Sequence, residues 1–263
     1  MVDAGTVTAE DLAANFFLEA SDIGSNRAAA CLPRLRELNK YVTVECRTEA
    51  LYQIPDDVIL AHNVVLLTRA PLDEQQRINA LCRANGKAFY AADAFGYEGL
   101  LFVDLGAAHE YRTETGTGAK SVLSEPVSVA YPSLQEAVAV PWHKHGNKRF
   151  GPVSPCYVHA MVLAGFEGQH GRRATSADSS AVLDVASALF SANGMDPNGF
   201  TPHDATALAA VARAEVAPVC AVLGGVIGQE VVKFVSGKGA PIENHFCLDA
   251  LTGEGKVFKS PPK

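Results

Sequence analysis

A chain of 263 residues that is 48% hydrophobic can bury a sizeable core, as one large α/β domain or as one and a half smaller ones. Its formal net charge of −7 and pI near 5.6 argue against a nucleic-acid-binding surface. The chain does not open on a basic, apolar leader and has no run of 18 apolar residues, so neither a secretory signal nor a membrane span is expected. The six cysteines are scattered without a CxxC pair, the pattern of reduced thiols in a cytosolic or nuclear compartment.

The opening "MVDAGTVTAEDL" reads as a strand stub, a turn and a helix capped by Thr8 and Asp11. "SNRAAACLPRLRELN" places Ala28, Cys31, Leu32, Leu35 and Leu38 on one helical stripe. Pro33 interrupts it; an interior proline costs about 3 kcal/mol, so a late start or a bend is expected there. "YVTVEC" alternates as a strand, and "NVVLLT" is the continuous apolar run of a strand buried in a parallel sheet. "LDEQQRINALCRANGKAFYAAD" predicts a helix, an Asn85-Gly86 stop and a further strand, which completes a βαβ unit. "GYEGLLFVDLG" follows too closely for a crossover helix and is expected to pair antiparallel.

Beyond Arg112, "TETGTGAKSVLSEP" has the polar, turn-rich composition of a loop or linker. "CYVHAMVLAGF", "SAVLDVASALFSANG" and "HDATALAAVARA" predict three helices, and "VAPVCAVLGGVIGQEVVKFVSG" a long apolar one. "HFCLDALTGEGKVF" closes the chain as a hairpin with a glycine-containing turn.

Candidate chemistry is sparse. Gly224, Gly225 and Gly228 form the most phosphate-like cluster, but they lie inside an apolar helical pattern, so close helix packing is expected instead of a phosphate loop. His143 and His145 form an HxH that would bind metal only with a third ligand; beside Lys144, Lys148 and Arg149 it reads as a solvated basic loop. Cys156, at a helix start, is either a thiol of lowered pKa or a small core residue, and the core reading is preferred. No self-contained catalytic motif emerges from spacing.

Three stretches carry a resemblance: "TVTAEDLAANFFLEASDIGSNRAAACLPRLRELNKYVTVE", "APLDEQQRINALCRANGKAFYAADAFGYEGLLFVDLG" and "APVCAVLGGVIGQEVVKFVSGKGAPIENHFCLDALTGEG". They resemble the ThiF-type adenylation domains of enzymes that activate ubiquitin-like proteins, in order and spacing from residue 1 to about 258. The resemblance implies a Rossmann-like α/β fold with a mostly parallel sheet, an antiparallel extension and a helical insertion. Residues 1–112 would form the Rossmann-like part, 113–178 a loop and helical insertion, and 179–263 the completing helices and hairpin. The family's first strand, glycine loop and arginine-bearing helix precede the residues matched by "MVDAG", so an N-terminal truncation is expected.

Within the family, catalytic halves bind ATP and form the thioester, and non-catalytic halves pair with them. This sequence is similar to the second kind: Ala14, Arg27 and Ala70 stand where catalytic halves have an arginine, a lysine and an acid. Asp3 matches the acid that holds the ATP ribose, so Asp3, Asn26 and Arg27 are expected to mark a vestigial nucleotide pocket. "DAFGYEGLLFVDLG" and "APVCAVLGG" resemble most the smaller subunits of SUMO-activating enzymes, with the ubiquitin and neddylation types as alternatives. The resemblance implies a heterodimer with a large catalytic subunit that binds ATP and magnesium, and contact with SUMO and its conjugating enzyme through that complex. It also implies a nuclear, and partly cytoplasmic, location. A pseudoenzyme binding module is a competing reading. A stand-alone sulfur-carrier adenylyltransferase would need paired CxxC motifs and an intact ATP pocket.

Overall fold

The computed structural model describes residues 1–116, 122–145 and 153–260. In the N-terminal stretch, the Thr8 amide and hydroxyl both donate to Asp11, at 2.8 and 2.9 Å, and start α1 (Asp11–Ala14) as the sequence predicts. α2 (Arg27–Leu38) begins at Asn26, whose side chain accepts from the Ala29 amide, and it runs through Pro33 without ending. Val7, Leu18 and Cys31 form a small apolar cluster beneath it.

The strand expected at residues 41–46 does not form. Val2 and Arg47 make a single parallel bridge, held by Asp3 N to Arg47 O at 3.1 Å and Arg47 N to Met1 O at 2.8 Å. Alternation gives a strand only where a ladder pairs it, and one bridge leaves Tyr41 and Val42 in solvent.

After α3 (Asp56–Leu60), β1 (Val64–Thr68) pairs parallel with β2 (Ala88–Phe95) across α4 (Leu72–Ala84), the βαβ unit read from the sequence. β1 is an edge strand of the sheet, so Leu67 is buried while Leu66 is 42% exposed, and the expected continuous burial is not reached. Gly86 has φ +63°, the left-handed stop that follows α4.

β3 (Glu98–Asp104) pairs antiparallel with β2 through a two-residue turn at Gly96 and Tyr97. Two short ladders follow, β4 (His109–Tyr111) with β7 (Val127–Val129) and β5 (Glu114–Thr115) with β6 (Val122–Leu123). The tract read as a loop or linker is therefore partly laddered, Glu114 pairing with Leu123 and Thr115 with Val122, where Thr and Val supply β-forming residues between its turns.

α5 (Leu134–Val138) opens on a Ser133–Glu136 capping box, and α6 (Pro155–His170) ends at the left-handed Gly171. α7 (Ser179–Ala192) and α8 (Pro202–Val211) pack with α6 around Phe166, Phe190 and Phe200, the largest apolar cluster. Gly165 allows this contact: a Cβ there would meet Val185 at 3.0 Å and Leu189 at 3.3 Å.

α9 (Ala217–Ser236) crosses the sheet with Val219, Leu223 and Ile227 buried. β8 (His245–Asp249) and β9 (Glu254–Phe258) then form the predicted hairpin, and β8 pairs with β3. The sheet order is β1–β2–β3–β8–β9, parallel at its start and antiparallel in the rest. By length and a mean hydropathy of 1.5, α9 matches a membrane span, which the run-counting of the sequence did not find. Its Glu230 nevertheless lies against the sheet, where it accepts from the Ile242 amide at 2.7 Å and from Lys233.

Candidate functional site

The three residues expected in a nucleotide pocket do come together, and they bind one another. Arg27, at the first turn of α2, donates through Nε to Asp3 Oδ2 at 2.6 Å and through Nη2 to Asp3 Oδ1 at 3.2 Å. Its Nη1 reaches Asp11 Oδ1 at 2.6 Å. The Gly5 amide donates to Asp3 Oδ1 at 2.7 Å, and Asn26 Nδ2 donates to the carbonyls of Asp3 and Gly5. Burial alone would push the Asp11 carboxyl up; the Thr8 amide and Arg27 outweigh it and hold the group below its ordinary range. The hydrogen bond that Arg27 donates to Asp3 heads the causes that raise Arg27 above its ordinary value, so the guanidinium stays a fixed cation.

This knot answers whether the residues fit ATP. Asp3 has both oxygens committed, and a Cβ on Gly5 would lie 2.5 Å from Arg27 Nη2, so the guanidinium covers the turn that a nucleotide would approach. A ribose could use Asp3 only by breaking a bidentate ion pair. Among the described residues no group of three His, Cys, Asp or Glu side chains is placed to hold a metal ion. With Asp3 and Arg27 committed to each other, the residues present do not fit MgATP.

A second polar group gathers at the carboxyl ends of β1 and β2, the edge where α/β sheets place their ligands. Arg69 follows β1 with φ +53° and pairs with Glu215 at 2.6 Å. Arg173 pairs with Asp93 of β2 at 2.5 Å, and its Nε lies 3.9 Å from Glu167, whose carboxyl burial pushes up. Ala70, Gln75, Asp93, Glu167 and Arg173 are among the residues that line a cavity of about 50 Å³ between α6 and the sheet. Ala70 brings no charge to it. Sequence reasoning named neither Arg173, inside an apparent loop, nor Asp93; the signal was an acid inside the apolar strand "AFYAAD", which needs a cation.

The remaining candidates fall elsewhere. His145 is not in a solvated loop: it is 2% exposed, packed on Tyr157, His245 and Phe258, and its ring is kept neutral, burial pushing its pKa down to about 4. The aromatic rings around it, absent from local sequence, supply that burial. His143 is exposed and lies 3.3 Å from the Asn193 carbonyl; Lys148 and Arg149 lie outside the described residues. Cys156 is buried, donates to the Gly99 carbonyl, and is raised well above an ordinary thiol by Cys247 and by burial, which makes it a core residue. A Cβ built on Gly224, Gly225 or Gly228 meets nothing within 4 Å, which overturns close helix packing inside this chain. Those glycines, with Val222, Val232 and Val235, form an open apolar face of α9.

A parallel βαβ start, an antiparallel extension and a long helix across the sheet define a Rossmann-like α/β domain. The chain belongs to the ThiF family, which it matches over residues 1–263. It is similar to the SUMO-activating enzyme subunit 1 of Xenopus laevis, 34% identical over 281 residues, 98% of this chain and 80% of that protein. The protein of the same name in Xenopus tropicalis is 32% identical over 284 residues, with the same coverage. The Homo sapiens protein of that name is 30% identical over 287 residues, 100% of this chain and 82% of that one.

Proposed function

We propose that this chain is the non-catalytic subunit of a heterodimeric SUMO-activating enzyme. It supports ATP-dependent adenylation of SUMO and thioester transfer on a large catalytic subunit, which binds the ATP and magnesium. The observation that carries this reading is the Arg27–Asp3–Asp11 knot, which closes the residues a nucleotide would use in a ThiF-family chain whose relatives bear the name SUMO-activating enzyme subunit 1. The open apolar face of α9 is the surface assigned to the large subunit, because it exposes Val222, Val232 and Val235 beside glycines on which a Cβ would meet nothing within 4 Å. SUMO and its conjugating enzyme are met through that complex, and the role places the protein in the nucleus.

Reconstitution tests the proposal: this chain is mixed with the large subunit of the SUMO-activating enzyme, SUMO and MgATP, and thioester on the large subunit is scored. The expected result is stable association and thioester well above that of the large subunit alone. Association without added thioester would leave a binding module, the second reading, which the same closed pocket favours. Neither association nor thioester would sink both.

A further inference from the structure

We propose that the seam between α6 and β8 contains an internal water-binding site whose ligands are Tyr157 and His245. Tyr157 is 0% and His245 1% exposed, their ring centroids lie 5.1 Å apart, and both line the cavity of about 50 Å³ described above. Tyr157 Oη and His245 Nδ1 have no hydrogen-bond partner among the described residues. Buried hydroxyl and imidazole groups left this way lose their hydration without replacement, and native proteins rarely tolerate it.

The chemistry of the group defines the ligand. His245 Nε2 lies 3.0 Å from Ser260 Oγ, and Ser260 Oγ lies 3.3 Å from His145 Nδ1. A serine hydroxyl has one proton, so it donates to one ring and accepts from the other. The outer nitrogens, His245 Nδ1 and His145 Nε2, therefore take opposite roles: one is an N–H and the other a lone pair. Exchange of the two tautomers reverses them. A ligand that serves His245 in both states must donate and accept, and it must also donate a hydrogen bond to the Tyr157 hydroxyl or accept one from it.

The chemistry beside the rings disfavours an ion. Ser260 is the side-chain hydrogen-bond partner of both histidines, the Val140 backbone also reaches His145, and the other ring neighbours are Tyr157, Phe102 and Phe258. Of the charged residues that line the cavity, Asp93 and Arg173 are paired with each other. Burial favours the neutral form of all three titratable rings. Size excludes organic molecules: 50 Å³ exceeds the roughly 10–15 Å³ that one water needs and falls below the ~150 Å³ of a cavity that takes benzene. Asp93 Oδ1, whose residue lines the same cavity, is also buried without a partner among the described residues, a further acceptor for water. Such water adds to the Cys156–Cys247 and His159–Glu98 contacts that tie the insertion helix to the sheet.

The test is a crystal structure of the full chain, at a resolution that shows ordered water, beside that of Tyr157→Phe. The expected result is a well-occupied peak about 3 Å from both Tyr157 Oη and His245 Nδ1, with its occupancy at least halved in the phenylalanine variant. Oxygen-17 relaxation dispersion in solution should lose at least one long-lived water with the same substitution. An empty seam, a Tyr157 hydroxyl turned onto a protein carbonyl, a peak refining as a metal ion, or water unchanged in Tyr157→Phe would each overturn the proposal.

Discussion

Acidification offers the sharpest test of the packing around His145. Its ring is enclosed by Tyr157 of α6, His245 of β8 and Phe258 of β9, with Ser260 as its side-chain hydrogen-bond partner and no carboxylate in contact among the described residues. Burial pushes its pKa from the ordinary 6.5 down to about 4. The native state thus favours the neutral ring, so its contribution is complete above pH 6.5 and is lost as pH falls toward 4. With those two values the loss is about 2 kcal/mol at pH 5 and about 3 kcal/mol near pH 4. His245, also held low by burial, adds to it with the same sign. At roughly 2–4 °C per kcal/mol for a chain of this size, the melting temperature should drop by about 4–8 °C between pH 7.5 and 5 from His145 alone. Comparing thermal unfolding of the wild type with that of His145→Phe isolates the term together with the part of the His245 titration that depends on His145, since the titrations elsewhere cancel in the difference. Parallel pH profiles for the two proteins would show that His145 titrates as an exposed histidine and that the packing argument is wrong.

Four further outcomes are expected. Gly225→Ala on the open face of α9 removes a helix-interior glycine without meeting any neighbour, so it should stabilise the isolated chain by about 0.5–1 kcal/mol. Gly225→Leu, checked by thermal melting and by titration against the large subunit, should leave the chain folded yet weaken association at least about tenfold, or 1.4 kcal/mol. Gly96→Ala combines φ +58° with a Cβ 2.8 Å from Val211 Cβ; denaturant unfolding should show a loss of about 2 kcal/mol or more. Asp104→Ala strips a buried carboxylate that accepts from Arg83, Asn79 and the Gly106 amide, each at 2.8 Å. It should cost about 3–5 kcal/mol by the same measurement, because Arg83 and Asn79 lose their partner; an unchanged midpoint would contradict the network.

Local sequence determined most of the elements. The Thr8–Asp11 cap, the α4 stop at Gly86, the tight antiparallel return into β3, the helices from α6 to α9 and the closing hairpin all rest on interactions within a few residues. Periodicity and turn chemistry report on such interactions directly. The motif matches also selected Asp3, Asn26 and Arg27 as a group. Their chemistry came from contacts across 16–24 positions: the arginine expected in a ligand pocket is spent on two aspartates instead.

Tertiary structure decided the rest. "YVTVEC" has the alternation of a strand but only one backbone bridge to pair with, so pattern alone misjudged it. The glycines of α9 looked like a packing seam, yet whether a helix face is covered depends on what the rest of the chain brings to it, and here it brings nothing within reach. His145 looked solvated beside lysines, and it is buried because β8, β9 and α6, each distant in sequence, close over it. Burial and charge pairing are properties of the assembled surface, summed over residues that the sequence lists far apart; that sum exists only once the sheet and its helices are in place.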